Sequence, residues 1–339
     1  MQLLVYIAKR LLLLVPLLLG VTFVVFLLTR VVIEGNPVDR FVPPMASAEE
    51  RERIAAEHGL DQPVTTQYLT YVQNLLQGDL GVSFNTSRPV IDDLARLFPA
   101  TFELTTLAML LGLLVGIPLG VIAGVKRDSW VDHVSRALSV AGVAMPVFWL
   151  SLLAIYFLFY QWGIVPAPIG RIDPQMTPPP QVTGLYTVDS LIAGEWETFY
   201  GTARILFLPV VVLAFGAMAP IARMTRSGMV DALDSQYVLA ARALGIPWRT
   251  IVLRYALKNA LLPVITMTAV VYGFLLGGSV LVENIFAFPG LGRYAYNAIS
   301  ASDYPAIQGF ILYAATMYVT LFLITDIIYR ILDPRIQTA

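Results

Sequence analysis

Six long apolar stretches alternate with polar segments along the chain. They run roughly from Leu11 to Thr29, Phe102 to Val125, Leu138 to Tyr160, Ile205 to Ala222, Leu261 to Val282 and Ile307 to Tyr329. Each holds about 20 mostly apolar residues, the length an α-helix needs to cross a bilayer. The pattern predicts an all-α integral membrane protein with six transmembrane helices. It divides the chain into an N-terminal transmembrane helix (1–30), a helical extracytoplasmic segment (31–100) and a five-helix core (101–339). Lys9-Arg10 before an apolar run has the look of a signal peptide. The run is long enough to span and no small-residue cleavage site follows, so a retained helix is expected.

One polar interruption in the core, about 223–260, is weakly hydrophobic rather than simply polar. Val230, Leu233, Tyr237, Ala240 and Leu244 recur at helical spacing and predict one apolar stripe. Asp231 and Asp234 fall where carboxylates suit a helix start. Gly245 is placed as a left-handed stop, and Pro247 as the first residue of a second, basic helix bearing Arg249, Arg254 and Lys258. Such a helix either lies on the membrane surface or buries its stripe in a partner's groove.

Basic residues orient the spans. Lys9, Arg10, Lys126, Arg127, Arg136, the interruption's arginines, Arg330 and Arg335 all fall on one side. The positive-inside rule then puts both termini in the cytoplasm. On the other side, Pro43-Pro44 breaks the chain, and Ser47 with Glu50 predicts a capped helix that runs to about His58 and stops at Gly59. A second helix is expected from about Thr65 to Leu76, with a stop at Gly78. The loop from Gln161 to Ala203 is rich in proline and reads as extended. In the last outer loop, Pro289, Gly290 and Gly292 predict a tight turn that presents Phe286, Phe288 and Tyr294.

Composition narrows the chemistry. The chain has 339 residues, 57% hydrophobic and 13% charged, against about 25% charged in soluble domains. A net charge of −1 gives no basic excess for nucleic acid. There is no cysteine, and His58 and His133 have no metal-ligand spacing, so no metal site and no catalytic residue are expected. The run Gly120 to Lys126 lacks the phosphate-loop spacing, so any ATPase must be a separate chain. Glu103, Glu283 and Asp326 lie near span ends, where an interfacial role is the simple reading. Gly112, Gly116 and Gly120, and again Gly273, Gly277 and Gly278, predict close helix packing. Pro16, Pro118, Pro146, Pro209 and Pro220 predict bends. Bent helices with few polar anchors suit a gated passage.

Four regions of the chain carry a resemblance. Leu239-Ala240-Ala241-Arg242-Ala243-Leu244-Gly245 resembles the coupling loop of permease subunits in ABC importers. The generic loop has Glu where Leu239 stands and a closing Leu-Pro nearer the glycine than Leu262-Pro263. Both departures are usual in the peptide-type branch. Gly59 to Ser83 is similar to the first outer segment of dipeptide and oligopeptide permeases. Gly170 to Pro174, Pro178 to Pro180 and Thr183-Gly184-Leu185 match the dipeptide-type branch, which includes glutathione and nickel permeases. Val282 to Tyr294 with Asp303 to Gly309 is the most specific of these signatures.

The resemblance implies a type I ABC importer permease fold in a bacterial or archaeal plasma membrane. It implies a second homologous permease subunit, two cytoplasmic ATP-binding subunits that carry ATP and Mg, and an extracytoplasmic substrate-binding protein. By this resemblance Asp234, Tyr237, Ala240, Ala241, Leu244 and Gly245 contact the ATPase. Phe286, Phe288, Pro289, Gly290, Gly292 and Tyr294 form an external gate or meet the binding protein, unless the rings only anchor the loop at the headgroups. The rivals are a secondary transporter, which would need intramembrane charge pairs and repeats, and a channel or scaffold, which leaves the interrupted segment unexplained.

Overall fold

The computed structural model describes residues 2–29, 38, 47–57, 59 and 61–332. Pro43-Pro44, His58 and Arg335 lie outside the described residues. Among the described residues every regular element is a helix, and the single β-bridge pairs Val82 with Pro89. The helices are α1 (Gln2–Leu27), α2 (Ala48–Glu57), α3 (Val64–Leu76), α4 (Val90–Val125), α5 (Trp130–Ala144) and α6 (Val147–Ala154), the last continued by a π-helical stretch, Ile155–Gln161. Then come α7 (Tyr186–Ala193), α8 (Trp196–Leu233), α9 (Gln236–Ala243) and a short α10 (Trp248–Thr250). A second π-helical stretch, Ile251–Ala256, leads into α11 (Leu257–Gly278), followed by α12 (Val280–Ile285), α13 (Leu291–Ser300) and α14 (Tyr304–Leu332).

Four described stretches are long and apolar enough to cross a membrane: Val90–Val125, Trp196–Leu233, Trp248–Gly277 and Tyr304–Ile328. A fifth results if α5 and the helix Val147–Gln161 count as one bent span, and Leu12–Leu27 is a shorter apolar helix. The span expected from Leu138 to Tyr160 is therefore not one straight helix; Trp130–Ala144 and Val147–Gln161 are bent by 103° from a common line. The cause is Pro146, which forces the preceding Met145 into an extended conformation (φ −78°, ψ 125°). By contrast Pro118, Pro209 and Pro220 sit inside unbroken helices. The helices also overrun their apolar runs. α4 begins twelve residues before Phe102, with Asp92 and Asp93 in its first turn facing the positive end of its dipole.

The chain divides into two compact units. Residues 1–98 with 294–316 form one, and residues 99–293 with 317–339 the other. In the first, Tyr68 on α3 donates to Leu19 O of α1 (2.9 Å), and Phe26 stacks on Tyr71. Glu50 N donates to Ser47 Oγ (3.2 Å), as the capping pattern predicts, and Gly59 and Gly78 have φ of 62° and 82°. Asp303 is fully buried and accepts from Ser83 Oγ (2.6 Å), Asn85 N and Ala306 N, which fixes the start of α14.

The second unit is built on α8, whose buried face holds Ile205, Leu206, Ala217, Ile221 and Met229. α4 presses against it along its glycine row. A Cβ at Gly120 would sit 2.5 Å from Ala222 O, so the backbones touch. In lipid this contact matters, because apolar burial alone gives helices no reason to leave the acyl chains. Polar anchors, expected to be few, are present instead. Asp132 of α5 is fully buried and takes a bidentate pair from Arg226 of α8, Nε at 2.5 Å and Nη2 at 2.7 Å. Arg136 adds a third charge at 3.6 Å.

Candidate functional site

Two regions of the 99–293 unit collect the residues the sequence singled out. In the first, α8 ends at Leu233, and Asp234 and Ser235 turn the chain before α9 begins. Val230 and Leu233 thus belong to α8, and only Tyr237, Ala240 and Leu244 of the expected stripe share the α9 segment. Asp231 and Asp234 stand at the end of α8 rather than the start of α9, where a carboxylate meets the negative end of the dipole. Arg127 offsets this at Asp234, Nη1 to Oδ2 at 3.2 Å. The break arises because Ser235 Oγ donates back to Ala232 O while its own backbone is extended (φ −77°, ψ 154°).

Gly245 closes α9 as predicted, with φ +73°. Ile246 N bonds Ala241 O (3.1 Å) and Gly245 N bonds Arg242 O (3.0 Å), the paired closure of a glycine-stopped helix. Pro247 is extended (ψ 136°) and caps α10 from outside rather than opening it. α9 buries Val238 and Ala241 against Ile251 and Ile246. Its opposite face is bare: Tyr237, Leu239, Ala240 and Leu244 are exposed, Leu244 to 80%. The expected contact set is therefore split, since Ala241 faces inward. Asn259 steadies the exposed face by donating to Tyr237 Oη (3.0 Å), and Arg242 lies over the Trp248 ring at 4.5 Å.

The second region is the segment from Ser279 to Arg293. The aromatic rings of this turn are enclosed rather than presented to solvent: Phe286 and Phe288 are 1% and 0% exposed, and both join the apolar core. Tyr294 is also buried, and Pro289 is exposed. The tight turn comes from Ala287 (φ +47°) and a hydrogen bond from Phe288 N to Glu283 O (2.7 Å), not from the glycines, which have no positive φ. Gly290 and Gly292 are needed for space. A Cβ at Gly290 would collide with the Glu283 carboxylate and lie 2.5 Å from Thr101 Oγ1; one at Gly292 would lie 2.7 Å from Val280 Cα.

Those glycines make room for a site that reading the spans missed. Glu283 is fully buried, not interfacial. Its Oε1 accepts from Ser279 Oγ (2.8 Å) and Thr101 Oγ1 (2.8 Å), and its Oε2 from Arg293 N (3.1 Å) at the start of α13. Thr101 Oγ1 in turn accepts from Leu291 N (2.8 Å). Burial pushes the Glu283 carboxyl above its usual range, and the hydrogen bonds from Ser279, Thr101, Arg293 and Gly292 act against it.

Two residues further along α4, Glu103 is equally enclosed. It pairs with Arg171 (2.6 Å) and accepts from Thr187 N and Oγ1 (2.6 and 2.7 Å). These bonds pin the Pro-rich loop to α4, and within the loop Arg171 also lies 3.8 Å over the Tyr186 ring. In that loop burial would raise Asp189, but bonds from Thr183 Oγ1 and the backbone of Thr183, Val182 and Gly184 outweigh it and hold the carboxyl below its usual range. The sequence signal available was a single Glu inside an apolar run, at both Glu103 and Glu283.

A cavity of about 780 Å³ lies between α4, α11 and α14. Its lining is apolar apart from Lys258, Asn259, Thr268, Tyr272 and Thr325. Among the described residues no three His, Asp or Glu side chains are grouped to hold a metal.

Comparison with known proteins adds the following. The family described as "Binding-protein-dependent transport system inner membrane component" matches residues 116–338. Its N-terminal companion, "Binding-prot-dependent transport system membrane comp, N-term", matches residues 3–105. The chain is 42% identical to the probable D,D-dipeptide transport system permease protein DdpB of Escherichia coli, over 94% of this chain and 93% of that one. It is 39% identical to the dipeptide transport system permease protein DppB of Alkalihalophilus pseudofirmus, over 98% and 99%. It is 35% identical to the glutathione transport system permease protein GsiC of Escherichia coli, over 98% of each.

Proposed function

The chain belongs to the family of binding-protein-dependent transport system inner membrane components, and from that premise we propose that it is one of two membrane-spanning subunits of an ATP-driven importer of di- or oligopeptides. It forms half of the translocation pathway. α1 is the first of six spans, both termini are cytoplasmic, and the segment after α1 is extracytoplasmic. Two ATP-binding subunits dock from the cytoplasm and carry ATP and Mg; this chain itself hydrolyses nothing. A binding protein delivers substrate from outside. Dipeptide permeases among the relatives reach 42% identity, which supports a peptide over glutathione.

One observation carries the reading. α9 is fixed by its own inward residues, Val238 and Ala241, yet leaves Tyr237, Leu239, Ala240 and Leu244 uncovered. An anchored helix with a bare apolar face is what a docking element needs: it is ordered before binding, so little entropy is lost on contact. Closure of the ATPase pair would pull α9, and with it α8, and switch the passage from inward- to outward-facing as a rigid-body change.

The test is Leu244→Asp in the assembled complex. The side chain is 80% exposed, so folding and membrane insertion should be unchanged. Losing an interface anchor costs about 2 kcal/mol or more, so ATPase subunits should dissociate on purification and stimulated hydrolysis should fall more than about tenfold. Full co-purification with undiminished substrate-stimulated hydrolysis would sink the docking assignment.

A further inference from the structure

We propose that Thr101 and Glu283 are positioning residues of the external gate: a buried latch that makes the turn from Glu283 to Arg293 travel with α4 when the ATPases drive α9. The proposal rests on the importer reading above.

The turn is a single body around Glu283. Phe288 N bonds Glu283 O, Arg293 N bonds the Glu283 carboxylate, and Arg293 Nη1 donates to Ala287 O (2.9 Å). Thr101 joins that body to α4 twice, donating to Glu283 Oε1 and accepting from Leu291 N. Thr101, Glu283 and Leu291 are all 0% exposed, so water cannot replace a lost partner. The rings of Phe286 and Phe288 hold the turn against the core, but apolar packing beside lipid gives no preference for one register. A satisfied buried polar network does specify one.

The rest of α4 makes the latch mechanically useful. From Thr101 to Val125 it is one continuous helix, about 36 Å at 1.5 Å per residue. Its far half touches α8 backbone to backbone at Gly120, which braces the helix where Pro118 weakens it. Just beyond its end Arg127 bonds Asp234, next to α9. Displacement of α9 and the end of α8 therefore reaches the outer turn through one rod, and Thr101 is where the rod grips it.

The chain has no cysteine, so reporter pairs can be placed freely. Spin labels go on Leu110→Cys and Leu281→Cys, both exposed, in the complete transporter in lipid nanodiscs. With Thr101 intact, the label distance should be the same without nucleotide and with a trapping ATP analogue. With Thr101→Val, nearly equal in shape, the distance should shift or broaden on trapping. Peptide uptake per ATP hydrolysed should drop at least about fivefold while hydrolysis itself is retained. Thr101→Ser, which keeps the hydroxyl, should restore both. If Thr101→Val fails to reach the membrane, Glu283→Gln is the second variant, with the same expected split between uptake and hydrolysis. A native pair whose distance already changes with nucleotide, or a Thr101→Val complex with native uptake per ATP, overturns the latch and leaves the importer standing. Absence of ATPase subunits from the native complex overturns both.

Discussion

The stretch that runs from Thr101 within α4 to Arg127 just past it holds its neighbours in opposite ways at its two ends. At one end the tie to α9 is the exposed pair Arg127–Asp234, with both side chains more than half in solvent. At the other, two buried carboxylates are held by named side chains: Glu283 accepts from Thr101, and Glu103 from Arg171 and Thr187. The first end keeps apolar and charged groups in reach of water, as the proposed docking of an ATP-binding subunit requires. The second has no partner to wait for in its interior, and there a polar group without a bond would be costly. The difference teaches where a rigid-body displacement can enter: at the exposed turn Asp234-Ser235 beside the anchored α9, not in the carboxylate knots.

Between the two lies the strongest test of that division. Asp132–Arg226 joins α5 to α8 two turns before the end of α8, and it resembles the enclosed end in its burial. Asp132→Ala would leave Arg226 in the helix interface without its carboxylate. The expected loss is about 3 kcal/mol, the low end for a broken buried pair because Arg226 keeps some solvent contact. Thermal unfolding in detergent checks it, and the double variant Asp132→Ala with Arg226→Met should recover part of the loss. An Asp132→Ala protein as stable as the parent would mean that the rigid region ends before α5.

Much of this was legible in the sequence and part was not. The glycine stop at Gly245 could be read because one residue's φ decides it, and the observed +73° follows. The apolar runs gave the helices, since bilayer length and backbone satisfaction leave few options. Helix ends were misread, as for Asp231 and Asp234, because a carboxylate one turn either side of a break looks the same in sequence. The burial of Phe286 and Phe288 was hidden for a different reason. An aromatic next to Pro-Gly fits an exposed turn equally well, and only the partner of Glu283, 182 residues away at Thr101, folds the turn inward. Long-range pairing of that kind leaves no local trace.

At the enclosed end, a smaller change sharpens the contrast. Gly290→Ala places a Cβ against Thr101 Oγ1 and the Glu283 carboxylate, side-chain ends that their burial and mutual hydrogen bonds hold in place. Overpacking of this sort costs about 1–3 kcal/mol. A lower unfolding temperature is expected, together with loss of the state-independent label distance described for the native latch. Gly245→Ala at the open end meets no atom within 4 Å, so its cost is only that of the left-handed backbone, about 1 kcal/mol. If the two alanine variants were equally destabilised, the enclosed end would be no more tightly built than the open one.

The smallest effect is expected at the Arg127–Asp234 pair. Its 3.2 Å geometry is good, but Arg127 is 54% and Asp234 69% exposed, and Asp128 competes for the same guanidinium at 3.6 Å. Exposed pairs of this kind contribute under about 1 kcal/mol and weaken further with salt. Asp234→Ala also removes a carboxylate from the unfavourable end of the α8 dipole, which offsets part of even that loss. Unfolding temperature should therefore hardly move. The coupling step is a different matter, because Asp234 is the residue that closes α8 just before the turn into α9. Substrate-stimulated hydrolysis is expected to fall about two- to fivefold, and the deficit between Asp234→Ala and the parent should shrink at high salt, where the parent's pair is screened as well. A large drop in stability with unchanged stimulation would reverse the assignment: the pair would then be a structural brace, and the open end of α4 would be held as firmly as the closed one.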